Sequence, residues 1–278
     1  MTTLVIGARG SIGRHVVDQL LAAGEQVRAS ARDPEAAGLP ENVSVVAADL
    51  TKPDTVRAAL TGVRKVFLYA PSGGMGAFVE AASDADLDRV VLLSSGSVLL
   101  PGAVGNAIAE EHRAVEHQLT ESGLPWTPIR PLVLATNNLA WADSIRATGT
   151  VPLFRPNGTS APVHERDVAA VAVAALTGSS DGYADRILTG PQLLSQREQV
   201  ELIGTALGRD LTVTELSETQ ARARFGQFGT APATIDAIIQ FIAASDDGRS
   251  VITDTVERVL GRPALSFGEW AHEHAADF

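Results

Sequence analysis

The feature that most constrains this chain is a glycine-spaced loop lying just inside its amino terminus. Residues 3–6 form a short apolar run that leads into Gly7-Ala8-Arg9-Gly10-Ser11-Ile12-Gly13. A helical pattern follows at once, with Ile12, Val16, Leu20 and Leu21 on one face and Gly24 as a natural stop. In such a loop Gly7 allows the tight turn and Gly10 lets backbone approach a pyrophosphate. Gly13 lets the helix lie close on the strand, and the first-turn N–H groups, at Ser11 and Ile12 among others, face an anion. The loop therefore predicts a dinucleotide site at the end of the first strand.

The pattern beyond it agrees. Strand-like runs at 26–30, 43–47, 65–69, 90–93 and 126–130 alternate with helical patterns at 51–62, 77–85 and 106–121. Short links and mostly apolar strands imply right-handed βαβ crossovers and strands buried on both faces. The expected class is α/β, a Rossmann-type doubly wound parallel sheet with a smaller, mostly helical C-terminal substrate lobe. After Pro131 the rhythm weakens. An alanine-rich helix is expected at 167–176, opened by His164-Glu-Arg-Asp167, then helices at 196–207, 233–244 and 253–260 and a strand at 211–215. The expected division is a nucleotide domain at 1–134, with the 163–178 helix packed on it, and a substrate lobe at 135–162 and 179–278.

Composition removes other classes. The formal charge is -11, from 22 basic and 33 acidic side chains, which argues against nucleic-acid or anionic-membrane partners and leaves a small-molecule substrate. Without cysteine there is no thiol nucleophile, disulfide or thiolate-held metal. His112 and Glu116 share a helix face, but His117 points away and His272 and His274 do not face together, so no metal is expected. The opening apolar run is too short for a signal peptide, and no stretch nears the roughly 20 residues that span a bilayer. A soluble cytoplasmic protein is expected.

The second strand selects the nucleotide. An NAD enzyme carries a carboxylate there, whereas this chain reads Val27-Arg28-Ala29-Ser30-Ala31-Arg32. Arg32, with Arg9 of the glycine loop, suits a 2′-phosphate, so NADP(H) is predicted. Asp49 and Leu50 are placed beside the adenine, and Ala70, Pro71 and Pro131, at the ends of strands four and six, complete the cofactor set.

With these residues stands a wider resemblance, to the NmrA-like branch of the atypical short-chain dehydrogenase/reductases. It is carried by Gly7-x-x-Gly10-x-x-Gly13, Ala31-Arg-Asp-Pro34, Leu92-Leu-Ser-Ser-Gly96 and His112-Arg-Ala-Val-Glu116. Ser122-Gly-Leu-Pro-Trp-Thr127, Ile129-Arg-Pro131 and Ser266-Phe-Gly-Glu-Trp270 extend it nearly to the end. The resemblance implies a catalytic serine at Ser95. It also implies a proton-donating tyrosine and a lysine four residues later, and there the chain departs: those positions are Ile108 and His112. Only Lys52 and Lys65 are lysines, and both lie in earlier elements.

Three readings stay open. A ketoreductase could use Ser95 and His112 while water or the substrate supplies the proton, as a ketone beside a phenol would. Resemblance to ketoreductases of aromatic polyketides, the angucyclinone type included, implies such a substrate and a place in antibiotic biosynthesis. A quinone acceptor would need less acid from the enzyme. A nucleotide-sensing regulator acting through a protein partner would need none. Substrate contacts are expected from Asn137, Asn138, Trp141, Phe154, Phe225 and Phe228, with residues 221–229 as a glycine-hinged lid.

Overall fold

A computed structural model describes the chain from residue 1 to 278, apart from residues 32, 36–37, 41–42, 71–72 and 179–185. The first elements alternate strictly: β1 (Thr2–Ile6), α1 (Ser11–Ala22), β2 (Gln26–Ala31), β3 (Ser44–Ala47), α2 (Pro53–Leu60), β4 (Val63–Tyr69), α3 (Met75–Ser83), β5 (Arg89–Leu93), α4 (Ala107–Ser122) and β6 (Trp126–Ile129). The strands form one six-stranded parallel sheet in the order β3-β2-β1-β4-β5-β6. The chain winds outward from β1 one way and from β4 the other. The carboxyl ends of β1 and β4 therefore flank the switch point at which such sheets bind ligands.

Period-two alternation explains why both faces are apolar. Leu4 and Ile6 of β1 join one core with Val56 and Leu60 of α2, Phe78 of α3 and Leu119 of α4. Val5, of opposite parity, is also fully buried. That second face is covered by α1 and by a helix at Glu165–Thr177, which pack on each other. The doubly wound sheet expected from the alternation is thus present.

The remaining elements are α5 (Ala142–Thr148), β7 (Thr150–Phe154), β8 (Thr159–Ser160), α6 (the Glu165–Thr177 helix), β9 (Leu194–Ser195), α7 (Gln196–Leu207), β10 (Thr212–Leu216), α8 (Glu218–Gln227), α9 (Pro232–Asp246), α10 (Thr255–Leu260) and α11 (Phe267–Glu273). The chain divides into two compact units. One comprises Met1–Pro101, Ala109–Pro131 and Glu165–Ile187, and the other Gly102–Ile108, Leu132–His164 and Leu188–Phe278. In the second unit β10 pairs with β7 and β9 with β8. Ile145, Val151, Leu153, Val200, Ile203, Phe267 and Trp270 form its main core, and a smaller one gathers Ala221, Ile235 and Ile239.

Several elements differ from the sequence expectation. Residues 221–227 of the stretch expected to form a mobile lid complete helix α8, with Phe228 as its C-cap. The physical reason is a capping box: the Ser217 hydroxyl accepts from Gln220 N–H while the Gln220 side chain returns to Ser217. Gly226 is tolerated in the last turn of that helix. Ser266 and Glu269 open α11 in the same way. Strand β7 was not anticipated, because proline and glycine around it mask a five-residue run. Asp167 lies in the first turn of α6, as expected of a helix opener, and is fully buried there with Glu165. Among the described residues no helix is long and apolar enough to cross a membrane.

Candidate active site

The glycine loop has the geometry that its spacing predicts. Gly7 adopts φ +84°, a conformation open to glycine, and its carbonyl accepts from Gly10 N–H at 2.9 Å. A Cβ on Gly13 would sit 2.1 Å from the Gly7 oxygen, so only glycine lets α1 lie this close to the loop. Gly10 is the helix N-cap, no side chain caps the first turn, and no acidic residue occupies it. Donors left to an outside acceptor at a helix N-terminus are what a pyrophosphate requires. The residues present therefore fit a dinucleotide.

The other cofactor candidates fall into distinct settings. Arg9 and Ser11 are exposed, whereas the Ile12 side chain is buried in the core and could offer only its backbone. Arg32 and Pro71 lie outside the described residues. Asp49 is engaged in a turn: its Oδ1 accepts from the Thr51 N–H at 2.9 Å and the Thr51 hydroxyl at 2.7 Å. Leu50 is a core residue. Ala70 donates its N–H to Leu93, tying the ends of β4 and β5, and the Pro131 carbonyl accepts from Gly96 at 2.9 Å.

The motif spacing sets Tyr69 aside, because Gly73 and not a lysine stands four residues on. Tyr69 ends β4 beside the switch point, is 41% exposed, and a Cβ on Gly7 would come within 2.9 Å of its ring. An exposed aromatic at a strand end, next to Ala70, was the available signal.

Ser95 follows β5 and turns into a short 3-10 segment, Gly96–Leu99. Its Oγ accepts from the Ser97 N–H at 3.2 Å and lies 2.9 Å from Ser97 Oγ. Two hydroxyls that share one hydrogen bond leave one O–H proton to donate to a further acceptor. His112 is half-buried in α4, and Ile108 precedes it by one turn. A second group passed over is Glu116, one turn after His112. Arg130 donates to both its oxygens at 2.7 Å and Ser94 Oγ donates to Oε1 at 2.6 Å.

Neither lysine is near a serine–tyrosine–lysine arrangement. Lys65 pairs in register with Arg89, the first residue of β5, so it sits at the amino end of the sheet, where it meets Glu25 at 3.7 Å. Lys52 is exposed beside Asp49 at 3.8 Å. Among the described residues no group of three or more His, Asp or Glu is disposed to hold a metal.

The substrate candidates belong to the second unit. Asn137 is exposed, while Asn138 is buried and donates to Gln199 at 2.8 Å. Trp141 packs half-buried against the main core of its unit, and Phe154 and Phe225 against the smaller one. Phe228 is 60% exposed, with the Arg224 guanidinium 5.8 Å above its ring.

Comparison with known proteins adds to this geometry. Residues 7–179 match the model of a family described as NAD(P)H-binding. A relative in Streptomyces griseus, named (4-alkanoyl-5-oxo-2,5-dihydrofuran-3-yl)methyl phosphate reductase, is 36% identical over 99% of this chain and 98% of its own. The NAD(P)H azoreductase of Xenophilus azovorans is 34% identical over the same shares. Among solved structures, the NADPH-dependent quinone oxidoreductase of Escherichia coli superposes with TM-score 0.78 at 23% identity, covering 98% of both chains, a likeness of fold. The chain belongs to the NAD(P)H-binding family, as an NmrA-like atypical short-chain dehydrogenase/reductase, and is an NAD(P)H-dependent oxidoreductase.

Proposed function

We propose that this protein is an NADPH-dependent reductase whose acceptor brings its own means of taking up negative charge. The observation that carries the reading is a mismatch among the motif residues. The glycine cradle and the Ser95–Ser97 hydroxyl pair are intact, yet the acid and lysine positions hold Ile108 and His112. The backbone from Gly7 to Gly13 would hold the pyrophosphate, with Arg9 and Arg32 taking the 2′-phosphate. When bound, the cofactor supplies a hydride. The hydroxyl pair then donates to the carbonyl oxygen as charge grows on it, and His112 hydrogen-bonds the nicotinamide ribose.

The proton is left to the acceptor or to water. The substrate class that fits best is a bulky aromatic ketone beside a phenol, of the aromatic polyketide type, because the phenol hydrogen-bonds the developing alkoxide and supplies its proton. Asn137, Trp141 and Phe228 are the side chains of the second unit proposed to meet it. A conjugated acceptor such as a quinone is the second reading. It is favoured by a relative named for azo reduction, since azo groups and quinones both spread incoming charge over a conjugated system.

The test is NADPH oxidation against hydroxylated polycyclic ketones, simple quinones and aliphatic ketones. Turnover of the first class supports the leading reading, and turnover of quinones alone supports the second. Tight NADPH binding with no turnover of any acceptor would refute both and turn attention to a sensor with a protein partner.

A further inference from the structure

We infer that Glu116 is a positioning residue, which holds the helix carrying His112 against the strand ends carrying Ser95 and Pro131. His112 and Glu116 stand four residues apart on α4, so their side chains leave the same face of the helix. The Glu116 carboxylate is fixed from two directions. Arg130 Nε donates to Oε1 and Nη2 to Oε2, both at 2.7 Å, and Ser94 Oγ donates to Oε1 at 2.6 Å. The side chains of Arg130 and Glu116 are 8% and 12% exposed, so water does not loosen the pair.

The three donors come from informative places. Ser94 is the first residue after β5 and precedes Ser95. Arg130 is the first residue after β6 and precedes Pro131. These strand ends are themselves joined, by Ser94 N–H to the Ile129 carbonyl at 2.8 Å and Gly96 N–H to the Pro131 carbonyl at 2.9 Å. One carboxylate thus ties α4 to a rigid pair of strand ends.

The apolar grip on α4 is thin by comparison. Of its 16 residues only Ala109, Val115 and Leu119 are buried. Apolar contact is non-directional and permits a helix to slide or roll, whereas a bidentate carboxylate–guanidinium pair fixes both distance and angle. A buried ion pair adds little stability over an apolar pair of the same volume. Geometry is therefore the property that this pair supplies best. The role rests on the reading of Ser95 and His112 as the groups around the reacting carbonyl.

Glu116→Asp keeps both charges and shortens the reach by one methylene. With the best acceptor found, it should lower kcat about 10- to 100-fold, the scale expected of an ångström-level misplacement, with the KM for NADPH and the Tm close to parental values. Glu116→Leu combined with Arg130→Met removes both charges and strands neither, and should show the same split. Ser95→Ala and His112→Ala are measured beside them. If both leave kcat unchanged, the catalytic reading fails. If they lower kcat while the folded Glu116 variants keep parental kcat, the positioning role alone is overturned. Loss of the fold in both Glu116 variants would assign the pair to stability and equally overturn it.

Discussion

Gly13→Ala tests the cofactor cradle through a single methyl group. An alanine Cβ would lie 2.1 Å from the Gly7 oxygen, 2.8 Å from the Gly7 carbonyl carbon and 3.1 Å from Ala8 Cα, all of them backbone. Close C···O contacts lie near about 3.3 Å, so α1 and the loop must part by about 1 Å. Overpacking of this kind costs about 1–3 kcal/mol, offset by up to about 1 kcal/mol of helix propensity. The expected net loss of about 1–2 kcal/mol lowers the Tm by a few degrees. Binding suffers more, because the first-turn N–H groups move by the same ångström, and the Kd for NADPH should rise about 10- to 100-fold. Gly24→Ala is the control. Gly24 has φ +76° and nothing within 4 Å of its would-be Cβ, so alanine strains only its own backbone there, at about 1–2 kcal/mol. Titration calorimetry with NADPH and thermal melts on both variants separate the effects. Parental affinity in Gly13→Ala, or an equal loss in Gly24→Ala, would refute the cradle.

Other expectations follow from the same structure. Arg32→Asp should raise the KM for NADPH far more than that for NADH, and equal changes would remove Arg32 from the 2′-phosphate. Lys65→Ala and Lys52→Ala should keep kcat within about twofold, since Lys65 sits at the amino end of the sheet beside Glu25 and Lys52 follows the edge strand β3, with three strands between it and the β5 that leads to Ser95; a loss near 100-fold would return a lysine to the mechanism. Glu198 closes the capping box of α7, where the backbone N–H and then the hydroxyl of Ser195, each at 2.7 Å, hold its carboxyl below the ordinary glutamate range. A lowered folded value means that its contribution is present above the unfolded value and lost as pH falls below about 4. The Tm of the parent should therefore fall more steeply on acidification than that of Glu198→Gln, and parallel curves would contradict this.

The fold was legible wherever local pattern and tertiary role coincide. Gly7 and Gly13 sit where spacing alone placed them, because Gly7 takes a positive φ and Gly13 has no room for a Cβ. The apolar strands named their own sheet. The second unit was harder to read, because its short elements depend on caps such as Ser217–Gln220 and on packing against partners distant in sequence. The aromatics and glycines of 221–229 suggest a mobile lid, and they hide the capping pattern that makes 218–227 helical. Among the candidate site residues, Ser95 and His112 stand out through a motif. The Glu116–Arg130 pair was not assigned, since an ion pair 14 residues apart has no sequence signature until β6 is laid beside α4. Asn138 shows the converse. An amide that read as a substrate donor is engaged by Gln199, 61 residues away.

The central claim is that the acceptor, rather than a tyrosine–lysine pair, takes care of its own charge. The most direct measurement compares NADPH-dependent turnover of one polycyclic ketone bearing a free neighbouring phenol with that of its O-methyl ether. The account predicts that methylation lowers kcat by about 100-fold or more, the worth of a positioned proton donor, while Ser95→Ala lowers the rate of both. Equal turnover of phenol and ether would contradict it.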